Sequence, residues 1–229
     1  AVNLKRFSAV VFLNTTGDIL NDGQQAEFER YIQAGGGYLG IHAATDCEYE
    51  WPWYGRLAGA FFLDHPNPNN IQKGKFYVAD KNNFAAKDMP AEFERTDEFY
   101  SFKQIDPSVH VLVKIDEKSY QGGKNGDDHP MSWYHEFDGG RSFYTAMGHT
   151  DETFSEPLFL NHVWAGLQYV MGGDAPAPLD YSKSKPEENR FSKVVLKEKL
   201  NEPMELSVLN DGRILYIERR GALRSYNTL

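Results

Sequence analysis

The chain has 229 residues, enough for one well-packed domain with a remainder. Hydrophobic residues make up 41% and charged residues 25%, the ordinary balance of a globular protein, and no apolar run approaches the ~20 residues needed to span a bilayer. A net charge of −9 argues against nucleic acid, whose phosphates require a basic excess, and fits a small neutral ligand better.

The opening stretch "AVNLKRFSAVVFLN" enters an apolar run at 9–13, "AVVFL", which reads as a strand buried on both faces; entering one so early, it suggests that the true N-terminus is missing. No signal peptide is visible. After the loop "NTTGD", Asp22 with Gln25 resembles a capping box, and Phe28, Tyr31 and Ile32 share one helical face. Gly35, Gly36 and Gly37 stop that helix, and Tyr38–Ile41 supplies the next strand. Strand, helix, strand predicts a right-handed crossover and an α/β class, with a mainly parallel central sheet flanked by helices.

A turn at His42 follows, then the lone cysteine, Cys47, which excludes an internal disulfide without fixing the redox compartment. "WPWYGRLAGAFFLDHP" reads as a loop and a short helix, and strands are expected at 74–79, 109–115, 131–137 and 142–146. Pro157 opens a last helix whose apolar face carries Leu158, Phe159, His162, Val163, Gly166, Leu167 and Val170, ending at Gly172–Gly173. Residues 173–190 are rich in proline and charge and read as a linker. Beyond it come β patterns, "FSKVVLK", "MELSVL", "RILYIE" and "ALRSY", with Asp211-Gly212 as a hairpin signal. A tail of about forty residues is too small for an independent β domain.

The stretches "VVFLNTTGD", "GGGYLGIHAATD", "WPWYGRLAGAFF", "RTDEFYSF", "GDDHPMSWYHEF" and "GGRSFYTAMGHTDETF" together resemble the ThuA-like, trehalose-utilisation, domain over residues 1–172, with the family's opening strand and helix absent. The tail, 191–229, resembles a truncated first blade of a soluble glucose/sorbosone dehydrogenase propeller of the pyrroloquinoline-quinone (PQQ) type. The resemblance implies a parent protein joining the two, with the remainder of the propeller as partner, PQQ held only by that missing part, and a periplasmic or cell-envelope location. It also implies a fold similar to class I glutamine amidotransferases, whose nucleophilic cysteine sits in the turn after a central strand. Here Gly40-Ile41-His42-Ala43-Ala44 occupies that turn and Gly148-His149-Thr150-Asp151-Glu152 resembles the distant catalytic element. Imidazole does not replace a thiolate in amide acyl transfer, so the chain is not expected to be a glutaminase.

His42 and His149 should both project from the carboxyl edge of the sheet, where open α/β folds bind ligands; the alternative is a pair of hydrogen-bonded scaffold histidines. With Asp46 and Glu152 they form the expected catalytic set. A divalent metal such as zinc, on His42, His65 and His149, is a further option, although no short-spaced ligand motif supports it. Trp53, Tyr54, Arg95, Asp97, Glu98, Tyr100, Asp128 and His129 are candidate substrate-binding residues, suited to sugar hydroxyls and sugar faces; buried packing is the alternative for the aromatics and a solvated charged face for the rest. His110 and His162 look structural. The function expected is acid–base chemistry by histidine and carboxylate on a sugar or keto-disaccharide, of hydrolase or isomerase type, against the alternative of a non-catalytic carbohydrate-binding or docking module.

Overall fold

A computed structural model describes residues 4–173, 177–185 and 194–227. The chain divides into two units, residues 1–187 and 188–229. The first holds strands β1 (Ala9–Leu13), β2 (Thr16–Gly17), β3 (Gly37–Ile41), β4 (Asp46–Cys47), β5 (Phe61–Asp64), β6 (Ile71–Val78), β7 (Glu92–Glu98), β8 (Ser101–Lys103), β9 (His110–Asp116), β10 (His129–Phe137) and β11 (Gly140–Thr145). Its helices are α1 (Asp22–Gln33), α2 (Pro52–Ala58) and α3 (Pro157–Met171). The α/β class and the helix-flanked central sheet are as expected from the sequence.

Seven strands form that sheet in the order β1-β3-β11-β10-β9-β6-β7. Only β1, β3 and β11 pair in parallel; the other four pairings are antiparallel, so the sheet is mixed rather than mainly parallel. The cause is local. Asp138 and Gly139 both take positive φ (47° and 95°), the geometry of a two-residue hairpin turn, and fold β11 back beside β10. β1, too, departs from expectation. It is an edge strand with Phe12 buried but Val11 and Leu13 about half exposed, not a strand covered on both faces.

Helix α1 begins one residue before the expected box. The Asn21 side chain accepts from the Gln24 amide, and the Gln24 side chain answers at the Asn21 amide. Phe28, Tyr31 and Ile32 are buried as anticipated, and Phe28 stacks on Phe12 and packs edge-on to Tyr38. On the opposite face α3 lies close to the sheet. A Cβ at Gly37 would come 2.3 Å from the Val170 carbonyl oxygen, and one at Gly166 would meet the Phe143 ring. Residues 177–185 have one 3-10 turn and join this unit through the Asp180 amide to the Ala34 carbonyl and the Lys185 amide to the Gln33 side chain.

The second unit contains β12 (Pro203–Val208), β13 (Ile214–Glu218) and β14 (Leu223–Tyr226), an antiparallel sheet in chain order. Gly212 and Gly221 take positive φ at its two turns, in keeping with the expected hairpins. The strand expected from "FSKVVLK" is absent over 194–197, and 191–193 lie outside the described residues. Among the described residues no helix is long and apolar enough to cross a membrane.

Candidate functional site

The register Leu13↔Ile41↔Thr145 ends β1, β3 and β11 together. The pairing sense around the sheet makes β9 and β7 run the same way, so all five deliver their C-terminal residues to one edge. In a flat sheet the ends of β3 and β7, five spacings apart, would be roughly 24 Å from each other. Yet side chains from both meet at hydrogen-bond distance, so the sheet curls around the site.

His42 is the residue after β3. Its φ of 48° is a left-handed conformation uncommon for a non-glycine residue, and it gives the sharp turn anticipated for this position. The side chain is 1% exposed. Nδ1 donates to the Ala146 carbonyl at 2.8 Å, which aims Nε2 into the site. The Tyr100 ring packs on the imidazole at 4.2 Å between centroids, and the Tyr144 hydroxyl donates to the His42 carbonyl at 2.6 Å.

His149 follows β11. Gly148 turns the chain with φ 120°, where a Cβ would crowd Ile41 at 2.9 Å. Asp97, fully buried, holds the loop by accepting the backbone amides of Gly148 (3.0 Å), His149 (3.1 Å) and Thr150 (3.3 Å), while Arg95 pairs with it at 3.1 Å. The His149 side chain remains 38% exposed, unlike its buried neighbours.

Glu98 closes the cluster. Its Oε2 lies 3.0 Å from His42 Nε2 and 3.1 Å from His149 Nδ1, and those two nitrogens are 3.1 Å apart. Asn70 donates to the other carboxylate oxygen at 2.7 Å. Burial by itself pushes Glu98 up. The hydrogen bonds from His42 and Asn70 and the imidazole charges outweigh it and bring the carboxyl down to about 2. Among the described residues this is the one group of three or more histidine, cysteine or acidic side chains whose ligand atoms converge.

The two histidines therefore meet as expected, but the third partner is Glu98, not Asp46, His65 or Glu152. Asp46 accepts from the Tyr49 hydroxyl at 2.6 Å, and Glu152 is exposed on the 3-10 turn Asp151–Ser155. His65 borders the site, with Nδ1 3.0 Å from the Pro66 carbonyl oxygen and 3.8 Å from Glu98. Of the residues read as substrate-binding, Trp53 and Tyr54 are core. Trp53 donates to Asp138 at 3.0 Å and the Tyr54 hydroxyl to the Ala44 carbonyl at 2.6 Å, so neither offers a face to a sugar. Arg95 and Asp97 are buried partners that position the His149 loop. His129 is wholly buried between Glu117 and the Tyr100 carbonyl, and Asp128 is an exposed partner of Lys114. Tyr100 alone of that set, with Glu98, touches the cluster; burial and then the Glu98 charge raise its hydroxyl. Asn70, in "HPNPNN", carried no sequence signal.

A cavity of about 660 Å³, lined by Phe84, Arg141, Asn161, His162, Trp164 and Tyr169 among others, contains none of the cluster residues. His162, structural as anticipated, is fixed there by Ala85 and Ser132. Convergent titratable groups favour the cluster over this cavity, and chemistry follows the groups.

The family model described as ThuA, trehalose utilisation, matches residues 1–170. No curated protein matches. Similar solved structures include a ThuA-like protein from Bacteroides uniformis, 26% identical over 73% of this chain and 70% of that one, with a TM-score of 0.60. A ThuA-like protein from Parabacteroides merdae is 17% identical over 80% and 81%, with a TM-score of 0.60. A cytoplasmic protein from Salmonella typhimurium is 13% identical over 73% of each chain, with a TM-score of 0.54. The last two are likenesses of fold.

Proposed function

The chain belongs to the ThuA, trehalose-utilisation, family, and on that premise we propose that its first unit is a carbohydrate-processing enzyme domain in which His42, Glu98 and His149 perform acid–base chemistry on a sugar or keto-disaccharide. The observation that supports this most is the convergence of two imidazoles and one carboxylate, all within 3.1 Å, at the carboxyl edge of the sheet.

The roles follow from exposure. Glu98, ionised and buried, accepts Nδ1–H of His149 and so leaves Nε2 of that ring toward solvent. There it takes a proton from a sugar hydroxyl, or from the carbon beside a keto group, and returns it. His42, anchored through the Ala146 carbonyl, orients the carboxylate from behind. Glutaminase chemistry has no nucleophile here. Cys47 is buried, hydrogen-bonded to Tyr54, and its thiol is raised by burial.

The loss of the amidotransferase cysteine also favours a second reading, a non-catalytic carbohydrate-binding module. A panel of trehalose-type sugars and keto-disaccharides separates the two. Turnover that falls at least tenfold in His149→Ala supports the enzyme, whereas saturable binding without turnover establishes the module. The proposal extends to the tail: its sequence resemblance to a propeller's first blade would make a sugar-dehydrogenase-like module the partner, with PQQ as that module's cofactor and a periplasmic or envelope setting.

A further inference from the structure

We propose that His42 Nε2, Glu98 Oε2 and His149 Nδ1 together bind one first-row divalent cation, with zinc the ion their chemistry suits best. The inference rests on the preceding reading of this cluster as the functional site and concerns how that site obtains its base. The three atoms form a triangle with edges of 3.0, 3.1 and 3.1 Å. Ligands held ~2.0–2.1 Å from zinc stand roughly 2.9–3.4 Å apart, for angles between octahedral and tetrahedral, so the triangle is one face of such a shell.

The surroundings are those of metal ligands. The far nitrogen of His42 donates to a backbone carbonyl, which fixes the ring with Nε2 facing the cluster, where it would give up the proton it shares with Glu98 when an ion binds. The far oxygen of Glu98 is occupied by Asn70, which leaves Oε2 for the cluster. The backbone beneath His149 is clamped by Asp97. Two imidazoles with one carboxylate select zinc or its first-row neighbours over magnesium and calcium, which favour all-oxygen shells. Since His42 and Glu98 are buried and His149 is partly exposed, the remaining coordination positions face the solvent side. Adjacent carbonyl and hydroxyl oxygens of a ketosugar are the ligand class that would fill two of them. A water or sugar hydroxyl held there becomes a stronger acid, so with an ion bound that oxygen would supply the base in place of His149 Nε2, which then carries the ring's own proton.

The test uses the full chain, stripped with chelator and titrated with zinc by calorimetry and with cobalt by visible absorption. One equivalent should bind with sub-millimolar affinity, and cobalt should give d–d bands of a mixed nitrogen–oxygen shell. His149→Ala, at a partly exposed position, should weaken zinc roughly 100-fold or more, and Asn70→Ala roughly 10-fold. Glu98→Gln, close in shape, provides the second ligand variant, and His65→Ala should leave affinity within about threefold, in line with a residue outside the ligand shell. Failure of the folded wild type to bind zinc, or wild-type zinc affinity in both His149→Ala and Glu98→Gln, overturns the proposal. Undiminished sugar turnover by the chelated protein also overturns it while leaving the acid–base reading intact. Zinc held by these residues without turnover of any sugar supports it and removes the enzyme reading instead.

Discussion

Replacing Asp97 with asparagine should destabilise the first unit through a buried network rather than a surface charge. The carboxylate accepts three backbone amides at 3.0–3.3 Å and pairs with Arg95 at 3.1 Å, all away from water. Asparagine keeps the shape, but turns a donor group toward other donors and removes the charge. One buried amide left without an acceptor costs about 1–3 kcal/mol, and breaking a buried ion pair costs about 3–5 kcal/mol. Arg95 retains Glu156 at 3.2 Å, a partner that is 40% exposed, so the second figure is an upper one. A net loss of about 4 kcal/mol follows, or a Tm lower by roughly 8–16 °C for a unit of this size. Thermal and denaturant unfolding of wild type and variant measure it directly. A Tm within about 2 °C of wild type would show that the Gly148–Thr150 loop does not depend on this carboxylate, and the positioning argument would fail.

Gly148→Ala should cost about 2 kcal/mol, because φ is +120° there and the added Cβ would press on Ile41 at 2.9 Å; an unchanged denaturation midpoint would contradict it. Trp53→Phe removes the hydrogen bond to Asp138 and some core volume, so it should lower stability by about 1–2 kcal/mol while leaving sugar affinity within twofold. A large loss of affinity at unchanged stability would restore its reading as a stacking residue. Acid should weaken the fold through His162, whose pKa burial lowers from 6.5 to about 4. The unfolded chain takes up that proton at higher pH than the folded one, so the stability is complete above pH 6.5 and about 3 kcal/mol of it is lost as pH falls to 4. Glu98, held at about 2, gives up its contribution only below pH 4.5. Unfolding free energies at pH 7 and pH 4.5 should differ accordingly, and His162→Asn should flatten the difference.

Local signals predicted the elements well and the long-range pairings poorly. The helix α1, the turn at His42 and the apolar face of α3 are written in spacing and in glycine and proline, and all three formed. The mixed pairing was also signalled, in the dipeptide Asp138-Gly139, an Asp-Gly pair like Asp211-Gly212, although in the latter only Gly212 takes positive φ. Strand β7 was hidden because Glu92, Glu94 and Thr96 give its outer side the character of a solvated loop, a common device for an edge strand. Glu98 was consequently visible as a polar residue but not as the partner of His42, from which it is separated by 56 positions and five strand spacings. Trp53 and Tyr54 sit between Glu50 and Arg56 in sequence, and only the packing of Phe28, Phe12 and Tyr38 around them shows that they are core.

Whether ligand chemistry resides at the His42–Glu98–His149 cluster, rather than in the cavity beside α3, can be read from the histidines themselves. His42 and His149 belong to the cluster, and His162 lines the cavity. Long-range nitrogen–proton NMR spectra of the imidazoles, followed while a trehalose-type sugar or a keto-disaccharide is added, report on both places at once. The ring signals of His149 and then His42 should move with saturation while those of His162 stay fixed. Movement of His162 with His149 and His42 unchanged would contradict the assignment and transfer the site to the cavity.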